Sequence, residues 1–575
     1  MATDVHIGGR LETVAPRRVT DAADRVRLLI LVAVAVAVHG WLLTHTKMTA
    51  RDSIGFARIA LQFEHPKAAG LEDVVAVLKH AQHPPGYPLA VLAASWPVRA
   101  GYDADLPDQM LFSAQVASGI AAILLVFPTY WLGRLLFGKF CGFAAALLVQ
   151  VLPVMAEVTS DGLTEALYLL GLGTALLLGT RAVKSPTVGG FLLCGLATGM
   201  TYLVRPEGLL VAGAVGLVAV AMGLVGRWTR SQAAAGVAAL AVGAVLPAVP
   251  YMVLIEGITN KPAGKAIWEH MIKSPREIIL GGGRVSAAPQ AGPPVAAWYV
   301  PDEDGPLAAW VVGAVTKEAV KAFHYVPAVL AVVGVVLAGR RLRAEPWVWV
   351  PLVYGVAILA VITAMAYVGQ NSEGGRQHYV SERHTLPLVY VGCFFAALGI
   401  EQFPGLWVRV SLVGRWPGHP AVAWVVLLGI VASSVPKLVK PLHANREGHD
   451  HAGRFLRDHL HEQDTLIDPF EWAQFYSERA LRTIPPDPPP VAGRYRWAVL
   501  EQGESPHSRL HRLQPALDVA RDGKNKAEVA FVWPEGPVED AKVVVYKQRI
   551  TEADQAAYEA ARKAAEDAAK KAADQ

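Results

Sequence analysis

Ionisable residues lie at the ends of several apolar segments of this sequence, where their side chains could do chemistry beside a membrane. A carboxylate in such a place can act as a general base toward a hydroxyl, and arginines can hold an anionic group. Eight such residues lie in four short segments: Asp52; Asp161 and Glu165; Arg205 and Glu207; and Arg376, Arg383 and His384. These residue types favour a site at which water and lipid headgroups are both within reach.

The elements that position these residues must be embedded in a membrane. Of 575 residues, 53% are hydrophobic and only 18% are charged, which is too apolar for an ordinary soluble chain of this length. The formal net charge of +4 is small and no basic tract is interleaved with aromatic residues, so nucleic acid is not an expected partner. Cys141, Cys194 and Cys393 lie within or beside apolar runs, which favours buried thiols over disulfides or metal ligands.

Apolar runs of membrane-spanning size recur through the first 440 residues. A bilayer core of about 30 Å needs roughly 20 apolar residues in a helix. Eleven runs approach this size: Leu28 to Leu43, Met110 to Trp131, Phe140 to Met155, Leu163 to Thr180, Gly189 to Val204, Gly208 to Val225, Ala233 to Ile255, Tyr325 to Ala338, Trp347 to Val368, Leu386 to Ile400 and Val422 to Leu438. The sequence therefore predicts an α-helical polytopic membrane protein with about eleven transmembrane helices.

Basic residues predict the orientation of these spans. They precede the first span and recur on alternate connections, as at Arg134, Arg181, Arg227 and Arg340. Because cytoplasmic loops carry an excess of lysine and arginine, these connections are expected in the cytoplasm and the other loops outside it. The apolar segment from Pro84 to Val98 is short and bracketed by prolines, so an interfacial or re-entrant helix is favoured over a further span.

The composition divides the chain into four parts. Residues 1–27 form a cytoplasmic segment, and residues 28–440 form the membrane domain, with long external loops at 47–109 and 256–324. Residues 441–550 alternate helical and strand-like segments, which predicts a small extracytoplasmic α/β or α+β domain. Residues 551–575 are rich in alanine and form a solvated helix or a disordered tail.

The order of the polar motifs resembles that of the GT-C superfamily of membrane glycosyltransferases. The motifs are Asp52 with the aromatic and alanine residues after it, HPPGYP at 83–88, Asp161, YLVRPEG at 202–208 and YVSERHTLP at 379–387. The chain is similar, more narrowly, to the branch of protein O-mannosyltransferases and lipid A aminoarabinose transferases over roughly its first four hundred residues. The resemblance implies a GT-C fold, a polyprenyl-phosphate sugar donor, an external active site and inversion at the anomeric carbon.

The resemblance also suggests roles for single residues. Asp52 is the expected general base, and its alternative is a helix-end aspartate that binds nearby amides. Arg205, Arg383 and His384 are expected to hold the leaving phosphate, although Arg205 could instead be an arginine that extends to the membrane interface. Asp161 is expected to orient the acceptor or the base, or to cap the span that begins at Gly162.

Further residues are expected to contact substrate. They are His83, Tyr87, Glu165, Glu207 and Arg376. His83 could donate a hydrogen bond to substrate or fix the proline-rich turn, and Glu165 needs a partner because it lies at the end of an apolar span.

Neither a metal nor another cofactor is expected. Many relatives carry adjacent aspartate and glutamate in the first loop, whereas Asp52 is flanked by Arg51 and Ser53, which disfavours a metal pair there. The histidines between His443 and His461 lie on a polar helix and are also not expected to bind metal. The expected partners are the lipid-linked donor, membrane lipids and a lipid, glycan or protein acceptor.

Two other classes of protein are compatible with the composition. A carrier or flippase for a lipid-linked sugar would be expected to place polar groups or broken helices near the middle of the bilayer. A scaffold that binds a partner through its external domain would leave the clustered charges unexplained. Neither the sugar nor the acceptor is specified by the sequence.

Overall fold

The computed structural model describes residues 21–261, 298–299, 307–368, 377–378, 380–410, 421–482, 488–502, 510–523 and 525–573. Within these ranges a helical body is followed by a smaller mixed domain. The helices, in chain order, are α1 (Ala22–His45), α2 (Arg51–Glu64), α3 (Val74–His80), α4 (Gly86–Gly101), α5 (Leu106–Leu124), α6 (Val126–Phe137), α7 (Lys139–Val151), α8 (Pro153–Ser160), α9 (Glu165–Lys184), α10 (Val188–Tyr202), α11 (Leu210–Leu224), α12 (Arg230–Leu254), α13 (Leu307–Ala322), α14 (Val326–Ala344), α15 (Trp349–Val368), α16 (Leu386–Val410), α17 (Ala421–Leu438), α18 (Glu447–His459), α19 (Trp472–Tyr476), α20 (Leu510–Ala520) and α21 (Glu552–Ala573).

The described helices include eight that are long and apolar enough to cross a membrane. Two bent pairs, α7 with α8 and α13 with α14, raise the number to ten if each pair is one span; their bends are 62° and 106°. The predicted run from Gly189 to Val204 forms α10, a shorter helix of 15 residues. The polytopic helical prediction is therefore confirmed, but the number eleven is not, because an apolar run does not reveal a bend or the helix length.

The loop after α1, which the sequence predicts to be external, contains more regular structure than the sequence pattern indicated. Residues 51–101 form α2, α3 and α4, and α4 is not among the helices of spanning length. This agrees with the interpretation that the HPPGYP segment does not add a span. In the second loop, residues 262–297 and 300–306 lie outside the described residues, and its end forms α13.

Close helix packing surrounds α7 in the middle of the body. Every residue from Cys141 to Val151 is buried. A side chain at Gly133 on α6 would come within 2.8 Å of the Gly142 backbone, so these glycines allow the two helices to pack backbone to backbone. Cys141, Cys194 and Cys393 are buried free thiols, as predicted.

The C-terminal domain is built on a four-stranded sheet. Its strands are β3 (Thr465–Ile467), β4 (Tyr495–Glu501), β5 (Glu528–Trp533) and β6 (Val543–Arg549), and β1 (Trp298–Tyr299) and β2 (Gln377–His378) pair separately. The sheet order is β3-β4-β6-β5, with β3 parallel to β4 and the other pairs antiparallel. Alternate residues such as Trp497, Val499 and Val545 bury one face together with Leu456 of α18. This arrangement is the small mixed domain that the strand-like segments predicted.

Candidate functional site

The aspartate of the first loop lies in the first turn of α2. This helix begins at Arg51 without a side-chain cap of its own. Instead, the Asp161 carboxylate accepts a hydrogen bond from the backbone N–H of Ala50 at 2.9 Å, and the Ser53 hydroxyl donates to the backbone carbonyl of Asp161 at 3.3 Å. The segment between α8 and α9 therefore holds the end of α2 that carries Asp52.

The prediction that Asp161 caps its own span is wrong. That helix, α9, begins at Glu165, and its preceding residue Thr164 makes no side-chain cap bond. Asp161 lies at the C-terminal end of α8, where its second oxygen contacts Nε2 of His443 at 2.7 Å. Its carboxylate therefore links the membrane domain to the start of the C-terminal domain.

Six residues from different segments form what we call the charge cluster: Asp52, Glu165, Arg205, Glu207, Lys261 and Arg383. Arg383 donates to Asp52 Oδ2 at 2.5 Å and, through Nε, to Glu165. Arg205 donates to the same oxygen of Glu165 at 2.8 Å and lies 3.4 Å from Glu207. The structure thus brings together four of the predicted segments in one chain of ion pairs.

Glu165 and Asp52 have different surroundings within the charge cluster. Only 2% of the Glu165 side chain is accessible, compared with 48% for Asp52. Glu165 therefore has the buried cationic partners that its position required, whereas Asp52 retains an open side. Burial by the surrounding protein raises the pKa of Asp52 and Arg383 lowers it, and the net result is a pKa well below the ordinary range.

Lys261 is a member of the charge cluster that the sequence reasoning missed. It follows α12 and is positioned by Asn260, whose side-chain amide donates to the carbonyls of Lys79 and Ala81 at 3.0 and 3.1 Å. Burial and the nearby Arg205 lower the pKa of Lys261. It forms no ion pair with the carboxylates that the structure describes. A single lysine in a loop belongs to no helix or strand pattern, so its position cannot be predicted from the sequence. The contacts of Asn260 in the structure show where it lies.

His384 is oriented by the residue that precedes its short helix. The backbone N–H of Ser381 donates to Nδ1 of His384 at 3.2 Å, and the Ser381 hydroxyl lies 2.9 Å from the same atom. An Nδ1 that accepts a backbone hydrogen bond leaves the proton of the neutral ring on Nε2. His384 therefore presents Nε2 as a hydrogen-bond donor.

A cavity joins this polar region to an apolar wall. Its polar end is formed by Arg205, Glu207 and His384, together with Tyr168, whose ring centre lies 5.4 Å from the Arg205 guanidinium carbon. Its wall is formed by apolar residues: Ile358, Val361, Ile362, Met365 and Pro387. Its volume is only about 10 Å³, which is room for about one water molecule, so cationic and apolar side chains line this space without leaving room for a larger ligand.

The HPPGYP turn is joined to the segment that carries Arg205. The backbone N–H of Gly86 donates to the carbonyl of Leu203 at 2.7 Å, and a side chain at Gly86 would come within 2.7 Å of that oxygen. Burial and Lys261 lower the pKa of His83 to about 3, so its imidazole is neutral. His83 packs 4.7 Å from the Phe56 ring, between ring centres.

One predicted binding residue that the structure describes, Tyr87, does not join the charge cluster. The Tyr87 hydroxyl is fully buried and donates to the carbonyl of Ala114 at 2.9 Å, which is a packing contact between α4 and α5 rather than a position for substrate. Arg376 lies outside the described residues. His83, Arg205, Glu207, Arg383 and His384 all lie within or beside the charge cluster.

The described residues contain no group of three histidine, cysteine, aspartate or glutamate side chains arranged to hold a metal ion. The histidines of the C-terminal domain have separate partners. His449 contacts Glu501 at 3.3 Å, His451 stacks on Trp533, and His459 stacks on Phe455.

Comparisons with known proteins agree with the arrangement of the helices. A family model described as dolichyl-phosphate-mannose-protein mannosyltransferase matches residues 94–251. The crystal structure of ArnT from Cupriavidus metallidurans in the apo state matches with a TM-score of 0.53 and 14% identity, over 92% of this chain and 98% of that chain. The structure of the same protein bound to undecaprenyl phosphate matches with a TM-score of 0.52 and 14% identity over the same shares.

More distant matches include the Archaeoglobus fulgidus oligosaccharyltransferase in its apo form, with a TM-score of 0.47 and 11% identity over 79% of this chain. This chain spans 63% of the length of that oligosaccharyltransferase. A search of the curated proteins found no match. The similarity to ArnT and the family-model match confirm the resemblance to the GT-C membrane glycosyltransferases, and the ArnT match shows that the chain shares the fold of ArnT.

Proposed function

We propose that this chain is a membrane glycosyltransferase that transfers a sugar from a polyprenyl-phosphate donor to the hydroxyl of an extracytoplasmic acceptor. The observation that carries the proposal is the charge cluster, in which the guanidinium groups of Arg205 and Arg383 share Glu165 and Arg383 also binds the partly accessible carboxylate of Asp52. A phosphate suits these guanidinium groups, and apolar side chains beside Arg205 and His384, such as Ile358 and Met365, suit a prenyl chain. Three ion pairs join Asp52 to Arg205: Asp52 with Arg383, Arg383 with Glu165, and Glu165 with Arg205.

The donor phosphate has four donor groups within reach in this proposal. Arg205, Arg383 and Lys261 supply positive charge, and Nε2 of His384 supplies a neutral hydrogen bond. The phosphate is a stable leaving group, so it needs charge stabilisation rather than a strong acid. Lys261 is well placed to respond to a new anion, because it is buried near Glu207 and Asp52 but lies in direct ion-pair contact with neither.

The reaction is a single displacement at the anomeric carbon. The acceptor oxygen forms a bond to this carbon while the bond from the carbon to the phosphate oxygen breaks, and its electron pair stays on the phosphate. Asp52 receives the proton of the acceptor hydroxyl. The products are the glycosylated acceptor, with inverted configuration, and the polyprenyl phosphate. Asp161, which holds the end of α2, orients the base rather than receiving the proton.

Donor binding and base activation are coupled through Arg383. In the structure Arg383 pairs with Asp52, and this contact holds the pKa of Asp52 low. A phosphate competes for the same guanidinium and weakens the contact with Asp52. The carboxylate then becomes a stronger base only when a donor is present, which disfavours attack before the donor has bound.

Transfer in proteoliposomes tests the proposal. The purified chain is supplied with radiolabelled polyprenyl-phosphate mannose, glucose or aminopentose and a mixture of lipid, glycan and peptide acceptors. We expect release of polyprenyl phosphate together with label on one acceptor class, unchanged by a chelator of divalent metals. Movement of intact labelled donor across the bilayer without its consumption would overturn the proposal in favour of a lipid-linked sugar carrier.

A further inference from the structure

One face of α2 is attached to the C-terminal domain by Glu471. The carboxylate of Glu471 binds Arg51 through one oxygen, and its other oxygen binds Arg58 at 2.6 Å. The two arginines are seven residues apart, which places them on the same face of a helix, two turns from each other. A single residue of the C-terminal domain therefore contacts α2 at its first residue and again about two turns further along.

Further contacts continue along this face. Nε of Arg58 donates to the carbonyl of Ala480 at 2.7 Å, and the Gln62 amide donates to the carbonyl of Arg482 at 2.6 Å. Only 8% of the Arg58 side chain is accessible. Glu471 itself adopts a left-handed backbone conformation with φ of 68°, which non-glycine residues adopt when the surrounding structure requires it.

An adjacent side of the same turn is attached to the membrane domain. Asp161 holds the N–H of Ala50, and Arg383 holds Asp52. Arg51 and Asp52 are neighbours and differ by about 100° around the helix axis, so fixing one side chain limits the direction of the other. The carboxylate of Asp52 thus lies between an anchor in each domain.

We propose that Glu471 is a positioning residue for Asp52, which makes the C-terminal domain a part of the catalytic site. The inference rests on the proposed function of Asp52 as the base. Glu471 acts in two ways: it fixes the rotation of the first turn of α2, and it holds the Arg51 guanidinium. Without this partner, Arg51 becomes a second cation beside Asp52 and competes with the acceptor for its carboxylate.

The test compares Glu471→Gln with a control variant that weakens the same domain contact elsewhere. Arg454 of α18 binds Asp105 at 2.5 Å and Asp108 at 2.6 Å, so Arg454→Gln removes ion pairs to the membrane domain without touching α2. We expect Glu471→Gln to lower kcat about 10- to 100-fold, as expected for a misplaced group, with little change in the donor KM. Arg454→Gln should retain kcat within about twofold, and Glu471→Asp should recover part of the loss.

Hydrogen exchange of the backbone amides of α2 gives a second measurement that does not depend on turnover. We expect faster exchange in the first two turns of α2 in Glu471→Gln than in Arg454→Gln. Equal loss of kcat in both variants, or unchanged exchange in α2, would show that Glu471 only docks the domain. If the wild type consumes no donor, the proposed function fails, while the exchange comparison still decides whether Glu471 holds α2.

Discussion

Asp52→Asn keeps the size of the side chain but removes its negative charge and its basicity. In the proposed mechanism, the proton of the acceptor hydroxyl then has no carboxylate to receive it. General base catalysis contributes about 10²- to 10⁴-fold, or about 3–5 kcal/mol of the barrier. We therefore expect kcat to fall by at least about 100-fold.

The same substitution should affect stability much less than activity. Asp52 pairs with Arg383 at 2.5 Å, but 48% of the Asp52 side chain is accessible. Ion pairs that are this exposed to solvent contribute at most about 1 kcal/mol. Arg383 also keeps its contact with Glu165 in the variant. The expected change in Tm is therefore a few degrees at most.

Single-turnover release of polyprenyl phosphate in proteoliposomes measures the effect on the chemical step. The donor KM should stay equal or fall, because phosphate no longer competes with Asp52 for Arg383. Glu64→Gln is the matched control: it removes a carboxylate of the same helix that pairs with Arg99 at 2.7 Å, and it should retain kcat. A kcat for Asp52→Asn within about threefold of wild type would refute the assignment of the base.

Four further outcomes follow from the contacts described above. Glu165→Gln should lower the stability by about 3–5 kcal/mol, measured by thermal unfolding in detergent, because it leaves two buried guanidinium groups without their shared carboxylate. Lys261→Ala should raise the donor KM about tenfold in the transfer assay, whereas an unchanged KM would remove Lys261 from the phosphate site. Gly86→Ala should destabilise the protein by about 1–3 kcal/mol, because its methyl group would meet the Leu203 carbonyl at 2.7 Å. His83 is neutral in the fold, with a pKa of about 3. Its contribution to folding stability is therefore complete above the ordinary histidine pKa of 6.5 and is lost as the pH falls toward 3. Between pH 7 and 5, Tm should fall more steeply in the wild type than in His83→Asn, by the equivalent of about 2 kcal/mol at pH 5.

The helical body could be predicted because the length of an apolar run is a local property. Each of the eleven predicted runs corresponds to a helix or to part of a bent pair. The length of an apolar run alone did not show the bends, although a proline follows each of them, Pro153 after Leu152 and Pro327 after Tyr325. The helix α2 was also missed, because its residues are buried on several faces and do not form a long apolar run.

The site could be predicted by residue type but not by partner. Asp52, Glu165, Arg205 and Arg383 were found because they lie beside apolar spans on the same predicted side of the membrane and within motifs that resemble those of the GT-C superfamily. Their pairing depends on how helices far apart in sequence approach each other, as between Glu165 and Arg383, and no local pattern contains that information. The same limit applies to Asp161, whose carboxylate caps a helix 111 residues away in sequence, and to the contacts between Glu471 and α2.

The charge cluster has equal numbers of acidic and basic groups: Asp52, Glu165 and Glu207 against Arg205, Lys261 and Arg383. A membrane offers a large excess of ordinary anionic phospholipids, and a strongly positive pocket would be occupied by them. A balanced pocket has little net attraction at a distance, so a headgroup is retained only if its shape lets it exchange partners with the carboxylates. The sugar donor would then be distinguished from bulk lipid by how well its headgroup competes with the three carboxylates for the basic side chains. Donor binding would depend only weakly on ionic strength.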